Sequence, residues 1–189
     1  MKGNLSELAG VIGAVLSIGA VVVEGFRSAG DTTFALNLLS VFLTTVSSLA
    51  YIGFLAGLAT VGKRASRPPL VVACYALIAV LLAFVAITLG LLFQLQIAAY
   101  AAPLAPVLLF ARWFSEMSVG FSLMAARRNL GRPSSWAGAA AVLLGAIESM
   151  SSGVALVYII RIPFLLLGAW LLRDVCQKEQ TFANSQLQI

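Results

Sequence analysis

The chain has 189 residues, 61% of them apolar and only 10% charged, with a formal net charge of +5 and a mean hydropathy of +1.01. Soluble domains carry about 25% charged residues, so this composition excludes an ordinary soluble fold. It fits apolar stretches that cross about 30 Å of hydrocarbon at roughly 20 residues each. The surplus positive charge sits in short loops between those stretches, where membrane topology places it, and it does not indicate a nucleic-acid partner.

The expected fold is all-α: a polytopic transmembrane bundle of six helices, at about 8–26, 34–61, 70–95, 104–126, 136–150 and 154–172. Residues 1–175 form a single integral membrane domain, and 176–189 form a polar tail expected to be mobile. After a short polar start with Lys2 and Glu7, the first apolar run resembles the hydrophobic part of a signal peptide, with Ser28-Ala29-Gly30 weakly cleavage-like. It is read here as a retained helix. Ala9, Gly13 and Ser17 recur four apart along it, with Gly10 and Ala14 alongside, a face that lets another backbone approach closely. Such a face serves packing within the bundle or docking of a partner subunit.

Glu24, Arg27 and Asp31 mark the first loop, and Asp31, Thr32 and Thr33 are residues that start helices. The second run contains Gly53-Phe54-Leu55-Ala56-Gly57, a GxxxG spacing that is common in membrane helices and hints at a second copy as partner. Asn37, Thr44, Thr45, Ser47 and Ser48 add polar groups suited to bonds between helices. Gly62–Pro69 (GKRASRPP) then combines three positive charges with two prolines that cannot continue a helix. A tight uncharged turn near Gln96–Pro103 follows the third run, and the fourth ends at Arg127 and Arg128.

The segment from Arg127 to Ser135 (RRNLGRPSS) echoes the first basic loop. Each has a basic pair followed by Arg-Pro, and each follows a Gly-Phe pair, which suggests a duplicated hairpin in parallel orientation. From Trp136 to Leu172 one helix would exceed about 50 Å at 1.5 Å per residue, so a turn is expected at Ser151-Ser152-Gly153. On this path Lys2, both basic loops and the tail share one side. Lysine and arginine favour the cytoplasm, so both termini are expected there, in the cell membrane.

Four ionisable residues fall inside apolar runs: Arg112, Glu116, Glu148 and Arg161. Arg112 and Arg161 each lie about eight residues in from the outer face, roughly 12 Å deep. Buried charge in lipid is tolerated where it faces protein or trapped water and is paired, and it marks a functional site by default. The pairs expected from depth are Glu116 with Arg161 and Arg112 with Glu148. The functional expectation is a substrate or ion pathway through this cluster, handling a small solute or ion. The alternative is a set of structural ion pairs in an accessory subunit of a membrane complex.

Catalysis is not expected, and neither is a metal or cofactor. The chain has no histidine, which removes histidine haem ligation, zinc-protease motifs and a Ser-His dyad. Its aspartates, Asp31 and Asp174, fall at opposite edges, and no phosphate-binding glycine loop is present.

Overall fold

The computed structural model describes residues 2–28, 33–93, 102–150 and 154–186. Among these, every regular element is helical: α1 (Lys2–Ser28), α2 (Phe34–Arg64), α3 (Pro68–Leu92), a 3-10 turn (Ala102–Leu104), α4 (Ala105–Ala125), the four-residue α5 (Arg127–Leu130), α6 (Arg132–Met150) and α7 (Val154–Gln186). Among the described residues, four stretches are long and apolar enough to cross a membrane: Leu5–Phe26, Phe34–Arg64, Pro68–Gly90 and Ala105–Ala125.

Helix boundaries follow local chemistry. α1 starts at Lys2, earlier than the apolar run, because nothing in the polar start breaks it. Ser6 is itself packed against Gly57 of α2. α2 follows Thr33, whose extended backbone (φ −61°, ψ 148°) precedes the first turn closed by the Asn37 amide on the Thr33 carbonyl at 3.1 Å. It stops where Ser66 takes φ 53° and Arg67 precedes a proline, which disfavours helical geometry. α3 opens on Pro68, which has no amide hydrogen to leave unsatisfied there. Gly131, at φ 84°, separates α5 from α6 in a left-handed conformation that suits glycine. α7 continues through the polar segment to Gln186, and Lys178 reaches back to Asp174 at 2.7 Å within it. The outer turn near Gln96–Pro103 lies largely outside the described residues, as do Ser151-Ser152-Gly153, which fall between α6 and α7.

The long helices pack in a closed ring, α1–α2–α3–α4–α6–α7 and back to α1, with α2 also touching α7 across the interior. Small residues set the closest contacts. A Cβ on Gly120 of α4 would sit 2.6 Å from the Gly138 carbonyl of α6, and one on Gly138 would meet Gly120 equally closely. The GxxxG face of α2 is used inside the chain: Gly53 faces Ala9, and Gly57 faces Ser6 of α1. The small-residue face of α1 is also occupied, with Gly10 against Phe54 and Ala169, and Gly13 against Leu165.

Tyr51, Phe54 and Phe164 are fully buried. Phe164 meets both other rings edge-on, with centroids 6.0 Å and 5.5 Å away. Such pairs add about 0.5–1.5 kcal/mol beyond the area they bury. Outside, large apolar side chains cover the bundle: Phe42 is 58% exposed and Phe114 61%, while Glu116 is 1% and Arg161 3% exposed. Oily groups outside and charges within are the reverse of a soluble protein's arrangement and are compatible with a membrane protein.

The two basic loops meet at one end of the bundle. Arg67 donates to Asn129 Oδ1 at 3.0 Å, and Asn129 donates to the Ala65 carbonyl at 3.4 Å. The α2–α3 and α4–α6 hairpins therefore turn on the same side. The start of α1, the end of α2 and the C-terminal part of α7 reach that end too, where Ser6, Arg64 and Cys176 line one cavity of about 270 Å³.

Candidate functional site: a buried charge cluster

On α4 the spacing of four puts Arg112 and Glu116 on one face, a turn apart. That face also carries the buried Ser115, Val119 and Leu123, while Phe110, Phe114 and Phe121 point outward. α6 comes close enough to join them because Gly145 lies against the Trp113 backbone, where a Cβ would fall 2.9 Å from the carbonyl oxygen. Glu148, three residues further along α6, then reaches Arg112. On α7, Arg161 shares its inward face with Tyr158, Phe164 and Leu165, all buried. Pro163 follows it in the helix and leaves the Ile159 carbonyl without an amide donor.

Arg112, Glu116, Glu148 and Arg161 thus converge from three helices. Glu148 Oε1 accepts from Arg112 Nη2 at 2.5 Å and from Arg161 Nη2 at 3.1 Å. Arg112 Nε reaches Glu116 Oε1 at 3.5 Å, so one guanidinium holds both carboxyl groups. The Arg112–Glu148 pairing matches the sequence expectation. Glu116 with Arg161 does not form, because Glu148 takes both arginines while Glu116 faces α2. There the Tyr51 hydroxyl donates to Glu116 Oε1 at 3.5 Å.

Aromatic rings complete the enclosure. The Arg161 guanidinium lies 5.2 Å from the Tyr51 ring centroid and 5.3 Å from that of Tyr158, distances at which a desolvated cation is attracted to a ring face. Arg112 stands 6.0 Å from Phe84 of α3. The Tyr158 hydroxyl is bonded to Thr44 at 3.0 Å. Sequence reasoning passed over Tyr51 and Tyr158. Tyr51 carries a signal in its spacing, four beyond Ser47 and seven beyond Thr44, on one face of α2.

With two arginines and two glutamates the cluster balances its formal charge. Its hydrogen bonding does not balance: Glu116 Oε2 and Arg161 Nε are buried without a partner, which costs about 1–3 kcal/mol for a polar group and more for a charged one. Arg112 is the most accessible member, its side chain 16% exposed. A separate apolar cavity of about 480 Å³, lined by Leu38, Phe42, Thr45 and Leu89 among others, lies between α2 and α3.

The fold and site define an all-helical bundle with several helices able to span a membrane and a buried cluster of paired charges. No protein-family model, curated protein or solved structure matches the chain.

Proposed function

We propose that this is a multi-pass protein of the cell membrane that handles a small solute or ion through its buried charge cluster. It would act as a transporter, a channel or a substrate-binding membrane subunit. In this reading all six long helices cross the bilayer and both termini face the cytoplasm. α6 and α7 bring Glu148 and Arg161 into the bundle as members of the pathway. Nine of the twelve lysines and arginines lie at the end where the basic loops meet, which supports placing that end inside. The role assigned is binding and passage, without catalysis.

The observation that carries the reading is the pair of unpartnered atoms in the cluster, Glu116 Oε2 and Arg161 Nε. A purely structural set of ion pairs is expected to satisfy its members, since a buried charged group left short of a partner is costly. The second reading, a non-catalytic accessory subunit of a larger membrane complex, is favoured by one feature. Val107, Phe110, Phe114 and Phe121 form an exposed apolar strip along α4, a surface suited to lipid or to another membrane helix.

Native mass spectrometry of gently solubilised protein separates the two. In the first reading a small solute co-purifies and is lost in Arg161→Ala, while the variant stays folded and monodisperse. In the second, a partner protein co-purifies instead and Arg161→Ala fails to accumulate.

A further inference from the structure

The polar residues of α2 are not scattered. Ser40, Thr44, Ser47 and Tyr51 follow one another at intervals of four, three and four, so they share one face. Each hydroxyl meets a polar group on a different stretch of the bundle. Ser40 donates to Glu24 Oε1 of α1 at 3.0 Å. Thr44 bonds Tyr158 of α7 at 3.0 Å. Ser47 stands 3.5 Å from Ser17 of α1, and Tyr51 donates to Glu116 of α4 at 3.5 Å. The stripe runs over twelve residues, roughly 16 Å of helix. It starts near the end of the bundle opposite the basic loops and finishes at a carboxyl group whose second oxygen has no partner.

We infer that Glu116 is where this protein takes up and releases a proton, reached from the Glu24 end along the hydroxyl stripe of α2. The inference rests on the reading of the cluster as a site that handles a solute or ion, and it names the ion. Hydroxyls both donate and accept, so a row of them relays a proton. Neighbouring members lie one turn apart on the helix, and bridging water would carry the proton between their hydroxyls. A divalent or transition-metal cation is a poorer fit, because among the described residues no three acidic or thiol groups converge as its ligands.

The transfer is simple in its balance. A hydronium ion gives its proton to the Glu116 carboxylate, leaving water and a neutral carboxylic acid, and release is the reverse. Protonation at Oε2 leaves the bonds from Arg112 and Tyr51 to Oε1 in place and changes the cluster from balanced to one surplus positive charge. The ionisable groups around Glu116 are Arg112 on its own helix, Tyr51 on α2 and Glu148 on α6, and Glu148 in turn holds Arg161 of α7. Cys74 is the buried thiol of α3.

Infrared difference spectroscopy between alkaline and acidic buffer, on the full chain in phosphatidylcholine vesicles, tests this directly. The high-frequency component of the protonated-carboxyl stretching band, which marks an acid shielded from water, should grow on acidification in the wild type and in Glu7→Gln, and be missing in Glu116→Gln. Tyr51→Phe keeps the ring and removes only the donor, so it should move the pH midpoint of that band. After a pH jump, the pair Thr44→Val with Ser47→Ala should slow the rise of the band several-fold. Survival of the band in Glu116→Gln, or its absence from the wild type, overturns the proton assignment. An unchanged rate in the paired variant overturns the route. If the assignment falls while Arg161→Ala still loses a bound solute, the solute reading stands. If Arg161→Ala leaves the bound solute unchanged and the band survives in Glu116→Gln, both fall.

Discussion

At the scale of single residues, Glu148 holds the cluster together. One oxygen accepts from two arginines on two other helices, so removing the carboxylate strands Arg161 in the bundle interior and leaves Arg112 with Glu116 alone. Glu148→Ala should cost about 3–5 kcal/mol, the range for breaking a buried pair from one side. Lys178→Ala should cost clearly less, about 0–1 kcal/mol, because its ion pair with Asp174 lies in water. Thermal unfolding midpoints in detergent measure both, and equal losses would refute the bridging role. The membership of this cluster was legible from sequence because charges stand out against apolar runs. The pairing was only half legible. Depth along a helix places Glu116 and Arg161 at compatible heights, but the direction each side chain points decides the partner. That direction depends on how α4, α6 and α7 rotate against one another, which hydropathy does not encode.

At the scale of elements, the α4–α6 contact rests on missing side chains. Gly120 and Gly138 face each other so closely that a methyl group on either would collide with backbone, not with a flexible chain end that can move aside. Gly138→Ala should therefore destabilise by about 1–3 kcal/mol, as overpacking does, and shift Arg112 away from Glu148. Gly25→Ala on α1 is the contrast, since nothing lies within 4 Å of its Cβ. It should be neutral or gain up to about 1 kcal/mol from helix propensity. Unfolding midpoints that fall equally for both would show that the contact is not what matters.

Helix cores were readable from apolar runs, whereas ends were not where polar residues carry no breaker. The start of α1 at Lys2 and the run of α7 to Gln186 both extend beyond the hydropathic signal, because Ser6 finds Gly57 and Asp174 finds Lys178. The glycine spacing on α2 was visible too. Its role was not, since the same pattern serves a partner in the same chain or in another.

At the scale of the whole molecule, the ring order of the helices was invisible in sequence, while the shared side of the basic loops was visible. Loop charge reports which side a connection lies on, and the Arg67–Asn129 bond brings the two loops into contact. The proposed orientation follows from that end facing the cytoplasm. It predicts the reactivity of single cysteines toward a membrane-impermeant maleimide in a Cys176→Ser background, where the remaining Cys74 is fully buried. Ser66→Cys, Asn129→Cys and Thr181→Cys, all exposed positions, should react only after the cells are permeabilised. Thr33→Cys, at the exposed start of α2, should react in intact cells. If all four reverse, the bundle stands but its orientation inverts, and the α2 stripe then opens to the cytoplasm. If Ser66→Cys and Asn129→Cys label from opposite sides, the two hairpins do not turn together, and a ring that brings Arg112, Glu148 and Arg161 into one cluster is no longer tenable.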